Sequence, residues 1–261
     1  MSIFQIALVT GPALAGMVIA MTHSATVVYT TNVACLLAAA WLALSIRHRL
    51  VGDARRPGSL RELFAGVEHV WRTKVALGMM SIDLFAVLLG SVTALLPIFA
   101  KDILQVGASG LGWLAAAPAL GAVLMGVTQG VRRPWPHAGR AFLWGVTIYG
   151  LATIVFGLSR SFWLSIAMLV VLGSADNASA VIRQTVLQLR TRDALRGRVS
   201  AVNRVFISSS NELGAFESGL LAALASPVFA VVFGGIATLA IVAGGAKLFP
   251  QIGRLRSIDR E

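Results

Sequence analysis

The chain has 261 residues, 57% of them hydrophobic and only 13% charged, with a mean hydropathy of +0.80. Soluble domains run near about 45–50% apolar and about 25% charged. Here the excess falls in repeated runs of roughly 20 residues, the length that crosses a hydrocarbon core, so composition excludes an ordinary soluble enzyme and indicates an all-α polytopic membrane protein. A net charge of +11 does not mark a nucleic-acid binder, because the basic residues gather in alternate connectors and not in one stripe.

Taken in order, residues 3–20 read as a first span, in which Gly11, Pro12 and Gly16 allow close helix contact and a kink. It begins too abruptly, without a basic start or small-residue cleavage site, for a signal peptide. A second span covers about 26–46. Residues 47–73 change character: Arg47, Arg49, Arg55 and Arg56 precede Pro57-Gly58, and Ser59 with Glu62 fits a capping box. Leu60, Leu63, Phe64, Val67 and Trp71 then recur at helical spacing, as on a helix lying at a membrane surface or against a bundle. The expected organisation is therefore two helices in 1–46, a cytoplasmic amphipathic linker in 47–73, a six-helix unit in 74–250 and a cytoplasmic tail in 251–261.

The six spans of that unit are expected at about 75–99, 109–131, 139–158, 162–182, 200–223 and 228–249. Connectors alternate between poorly charged (Lys101 and Asp102; Arg160) and basic (Arg132, Arg133 and Arg140; Arg190, Arg192, Arg196 and Arg198). Of the 22 Lys and Arg, all but Lys101 and Arg160 fall on one side if eight spans leave both termini in the cytoplasm.

Several side chains stand out against this apolar background. Asp83 lies about two turns inside its span; it is either a buried acid held by a neighbouring helix or a site for protons or substrate charge, since a carboxylate in a low-dielectric interior is costly to keep charged. Asp176 and Asn177 sit within another span and suit a gating network or a coupling role. Arg183 is seven residues beyond Asp176, on the same helical face but two turns away, so it is expected to snorkel to the cytoplasmic surface. In 200–223 the residues Ser200, Arg204, Ser208, Asn211, Ala215 and Ser218 align, with Asn203, Ser210 and Glu217 in an adjacent row. A polar strip that wide should face a cavity or other helices, never lipid. Glu212 and Glu217, five apart, point to different faces, and Glu217 is the stronger candidate for a titrating residue.

Other chemistries find no support. Cys35 is the single cysteine and lies in an apolar run, so no disulfide framework or thiolate metal site is expected. His23, His48, His69 and His137 sit at segment ends without metal-ligand spacing. The run Gly107-Ala108-Ser109-Gly110-Leu111-Gly112 has no preceding strand and no following Lys-Ser/Thr, which argues against a nucleotide loop. No nucleophile elbow or paired catalytic carboxylates occur in a soluble segment, so neither an enzyme, a cofactor nor a metal is expected.

Three stretches carry a resemblance. Ser81-Ile82-Asp83-Leu84-Phe85 through Gly90, continued by Thr93-Ala94-Leu95-Leu96-Pro97-Ile98-Phe99-Ala100-Lys101-Asp102, resembles the seventh helix and following loop of major facilitator superfamily exporters. Val181-Ile182-Arg183-Gln184-Thr185, Arg196-Gly197-Arg198-Val199-Ser200, Asn211-Glu212-Leu213-Gly214 and Glu217-Ser218-Gly219 are similar to helices ten and eleven of the branch holding enterobactin exporters and transmembrane secretion effectors. Gly11-Pro12 to Gly16 is similar to the fifth-helix antiporter motif, with Ala15 where a second glycine is usual.

The resemblance covers essentially the whole chain and implies helices five to twelve of a twelve-helix transporter whose substrate binds between two halves. It implies proton-coupled export of a small amphipathic or siderophore-like compound. The substrate or proton-pathway candidates would be Asp83, Asp176, Asn177, Asn211, Glu212 and Glu217, and the gating or cytoplasmic-loop candidates Arg183, Arg198 and Arg204. The implied partners are the lipid bilayer, a small-molecule substrate and protons, with the missing N-terminal half or another copy of the chain. The alternative expectation is a non-transporting remnant or a membrane partner protein lacking helices one to four.

Overall fold

The computed structural model describes residues 11, 14–19, 21–22, 24–45, 67–68, 70–71, 73–131 and 135–255, except for the side chains of 193 and 194. The linker's basic start, its capping box and Leu60, Leu63 and Phe64, together with Pro12, lie outside the described residues. Within them the long elements are all helical: α1 (Thr26–Ser45), α2 (Lys74–Leu89), α3 (Gly107–Val131), α4 (Ala138–Leu158), α5 (Phe162–Leu189), α6 (Asp193–Leu224) and α7 (Pro227–Leu248), followed by a short α8 (Pro250–Gly253).

Six stretches among the described residues are long and apolar enough to cross a membrane: α1, Lys74–Ile103, α3, α4, α5 and α7. This is a polytopic helical membrane protein. The expected span at 200–223 is realised differently. Helix α6 has 32 residues and carries Arg196, Arg198, Arg204, Glu212 and Glu217, so it is too polar to be recognised by apolar content. At about 1.5 Å per residue it is about 48 Å long, well beyond a hydrocarbon core of about 30 Å. The basic connector is correspondingly shorter than expected. Helix α5 runs on to Leu189 and α6 begins at Asp193, which leaves Arg190, Thr191 and Arg192 as the turn and puts Arg196 and Arg198 on the helix.

The span expected at 75–99 falls within one membrane-length stretch, Lys74–Ile103, but its helix is interrupted. Helix α2 ends at Leu89, Gly90 to Val92 form a bend, and the chain resumes as a 3₁₀ turn (Thr93–Leu95), a helical turn (Leu96–Ile98) and a π turn (Phe99–Ile103). Such a break frees backbone carbonyls, which have no water to turn to inside a bilayer. Two other helices supply donors for them, and a third adds a contact to Ala86 O, which also accepts from Gly90 N at 2.8 Å. The Tyr149 hydroxyl of α4 donates to Gly90 O at 3.0 Å, Ser218 of α6 to Ser91 O at 2.8 Å, and Thr238 of α7 to Ala86 O at 3.2 Å. The stretch remains apolar across Gly90 and Ser91, so the sequence gives no sign of the interruption.

Helices α3 and α4 both pack on α5, α4 also packs on α7, and α2 packs on α6 and α7. Without a hydrophobic drive between helices in lipid, small residues that let backbones approach dominate such contacts. The α3–α5 crossing shows this: a Cβ on Gly121 would collide with Val170 O, and one on Gly173 with Pro118 O. The apolar core lies above and below this crossing. One cluster includes Phe99, stacked on Phe156 at 4.8 Å, with Leu114 and Leu169. The other gathers Met79, Ile82, Phe142 and Ile252.

Near the N-terminus, Gly16 is buried where a Cβ would meet Ala108 O and Gly112 Cα, both at 2.8 Å, at the start of α3. Among the described residues Gly11 has nothing within 4 Å of that position. The close contact expected of this run is seen at Gly16. Replacing Gly121 or Gly173 by Val is expected to force α3 and α5 apart and to cost about 1–3 kcal/mol or more, the usual penalty for overpacking. Thermal unfolding of the detergent-solubilised protein would show it as a lower midpoint for both variants.

Candidate functional site

Helices α2, α3, α5 and α6 and the broken segment enclose an open cavity of about 580 Å³. Most of its wall is apolar, from Met80, Leu84 and Val87 of α2, Ala115, Pro118 and Ala119 of α3, Leu172 of α5, and Phe206 and Ile207 of α6. Pro118 adds to its opening by lacking the amide that would continue the helical ladder. Against this wall stand Asp83, Asp176, Arg183, Asn203, Ser210 and Asn211, with Ser91 and Thr93 at the break and Tyr149 from α4.

The charges are arranged as a network. Arg183 is 5% exposed and Asp83 8% exposed, so both are withdrawn from bulk water. An Arg183 terminal nitrogen lies 3.2 Å from Asp83 Oδ2, joining α5 to α2. The other donates to Asn203 Oδ1 of α6 at 2.5 Å, and Asn203 Nδ2 donates to Gln184 Oε1 at 3.0 Å. This corrects the expectation that Arg183 snorkels out to the cytoplasmic surface. A guanidinium has five donors in a rigid fork, and the fork bridges two helices; only its Nε is left without a partner.

Asp176 is exposed into the same cavity, and among the described residues its carboxylate makes no hydrogen bond or ion pair. Asp176 and Arg183 do not pair, as their two-turn separation predicts. Asn177 points away from the cavity wall, and its Oδ1 is buried with no hydrogen-bond partner. Asn211 lines the cavity, whereas Glu212 and Arg204 are exposed on α6 outside its lining. Glu217 is half-buried beside the break, where Ser218 Oγ lies 3.4 Å from its Oε2. Arg198 is half-buried near the basic turn. The predicted polar strip on α6 therefore divides: Asn203, Ser210 and Asn211 face the cavity, Ser218 faces the break, and Arg204, Ser208 and Glu212 face outward. Sequence reasoning missed the roles of Gln184, Tyr149 and Thr238, because only the position of a partner on another helix gives each its meaning. Among the described residues no cluster of His, Cys, Asp or Glu could hold a metal ion.

A family model described as transmembrane secretion effector matches residues 2–259. The chain belongs to that family, within the major facilitator superfamily. Curated relatives include the enterobactin exporter EntS of Escherichia coli O1:K1 / APEC, 27% identical over 186 residues, which is 71% of this chain and 44% of the relative. EntS of Escherichia coli O157:H7 (strain EC4115 / EHEC) and of Shigella boydii serotype 18 (strain CDC 3083-94 / BS512) match at the same identity and coverage. The chain spans less than half the length of these relatives. No solved structure matches it.

The pair makes a direct demand. Replacing Arg183 by Met strands Asp83 and is expected to cost about 3–5 kcal/mol, whereas the double variant with Asp83→Asn should recover much of that loss. Unfolding measurements on the two single variants and the double variant would give the coupling; additive losses would mean that the pair does not interact.

Proposed function

We propose that this chain works in export across the inner membrane. It would supply the C-terminal six-helix half (74–250) and the last two helices (1–46) of the N-terminal half of a transporter with both termini in the cytoplasm. The substrate class is a small amphipathic or siderophore-like compound, moved outward by alternating access in exchange for protons. The observation that carries the reading is the Asp83–Arg183 ion pair, buried yet bordering an open, mostly apolar cavity.

Charge in such a place is expensive unless it is paired. Protonating Asp83 removes its attraction for Arg183 and frees the guanidinium to swing between Asn203 and the cavity. That is a two-state element of the kind that couples ion and substrate binding. The apolar wall with Phe206 and Tyr149 suits a hydrophobic body, and the unpartnered Asp176 suits a donor or a positive group on it. The family match and the enterobactin exporters among the relatives support the transport class. On geometry, Asp83 is favoured over Glu217 as the coupling acid, since Glu217 lies outside the cavity lining.

A second reading is favoured by the exposed polar residues Ser208, Asn211 and Glu212 on α6. In it the chain is a non-transporting membrane protein, or a partner that needs further helices before any cavity closes. Efflux of a fluorescent amphipathic dye from vesicles holding this chain, driven by an imposed pH gradient, separates the two. The exporter reading expects efflux that falls at least about tenfold in Asp83→Asn and is largely kept in Glu217→Gln. Absence of efflux from well-inserted chain, restored only by adding separately expressed helices, would support the partner reading. Undiminished efflux in Asp83→Asn would remove Asp83 from the mechanism.

A further inference from the structure

A second cavity, which shares no lining residue with the first, lies where α3 and α4 straddle α5. Both helices pack on α5, and the groove between them holds about 410 Å³. Its floor is Ala175 and Ala178 of α5, 4% and 6% exposed, so no side chain rises to fill it. Met125 of α3 forms one wall, with Trp144 and Ile148 of α4 forming the other. The latter two are 62% and 42% exposed, which leaves the groove open along its length to the surroundings of the bundle.

At one end the chemistry changes. Trp135, His137 and Arg140 gather where the chain enters α4. Arg140 is exposed and, among the described residues, its guanidinium has no hydrogen bond or ion-pair partner. Among the described residues no acidic side chain lines this groove. Tryptophans concentrate at membrane–water interfaces, where an amphipathic ring spans the headgroup boundary. An unpaired arginine at the same level is a donor fork suited to a phosphate.

We propose that this groove binds one anionic phospholipid, with an acyl chain lying over Ala175 and Ala178 between Met125 and Ile148 and the headgroup phosphate on Arg140. The site lies apart from the transport cavity and does not depend on the transport reading. Basic pockets between membrane helices select anionic headgroups in this way. The apolar slot distinguishes a lipid from a free anion, because only a lipid uses both ends of the groove.

The test is native mass spectrometry of the full chain released from detergent after incubation with phosphatidylglycerol or with phosphatidylcholine of the same acyl chains. Preferential retention of one phosphatidylglycerol is expected. The preference should fall about fivefold in Arg140→Gln, the factor that one arginine contributes near an anionic surface. Arg254→Gln removes the same charge outside the groove and should keep the preference. Equal retention of the two lipids, or equal losses in Arg140→Gln and Arg254→Gln, would overturn the site in favour of general surface charge. Full displacement by millimolar inorganic phosphate would overturn it in favour of a simple anion site.

Discussion

A buried guanidinium–carboxylate pair at the wall of the open cavity constrains this bundle. Arg183 reaches Asp83 on α2 and Asn203 on α6 from a single position on α5, so three helices are held in register by one side chain. Such a pair is weak evidence for stability, because desolvating two charges offsets most of their attraction and a well-packed apolar pair would serve as well. It is better evidence for function. The network is also incomplete: among the described residues Arg183 Nε has no partner, and an unpaired polar group in low dielectric is costly.

The break in α2 is the second constraint and lies on the same cavity. Each backbone group left without a partner in hydrocarbon costs several kcal/mol, and the bend at Gly90 to Val92 exposes the carbonyls of Gly90 and Ser91. Tyr149 of α4 and Ser218 of α6 answer them, and Thr238 of α7 adds a contact to Ala86 O, which already accepts from Gly90 N. The irregular backbone is therefore tied to three helices on one side and open to the cavity through Ser91 and Thr93 on the other. Irregular backbone at membrane depth is tolerated only where it meets protein or a cavity, and here it meets both.

The sequence made the bundle legible because hydropathy is a property of single segments. The runs at 26–46, 109–131, 139–158 and 228–249 came within two residues of α1, α3, α4 and α7. What it hid are relations between segments. Arg183 read as a residue on its way out to solvent because its partner, Asp83, lies on another helix one hundred positions earlier. The same blindness applied to Tyr149 and Thr238. The ends of α5 and α6 were misjudged for a different reason: charged turns such as those of Arg196 and Arg198 continue a helix beyond the bilayer as readily as they end it, and composition does not distinguish the two. Asp83, Asp176 and Asn211 were legible as cavity candidates, since an isolated polar group in an apolar run has few other uses.

Helix α6 shows how these constraints meet. Its Asn203 belongs to the charged network, its Ser218 to the break, and its Asn211 to the cavity wall, while Ser208 and Glu212 look outward with no cover among the described residues. Lipid is no partner for that outward row, because hydrocarbon offers no hydrogen bonds. Only water or another polar protein surface satisfies it. The rows meet at Asn211, so whatever covers Glu212 also bounds the opening of the cavity. The residues that fix the bundle internally and those that require an external cover are thus interleaved on one helix.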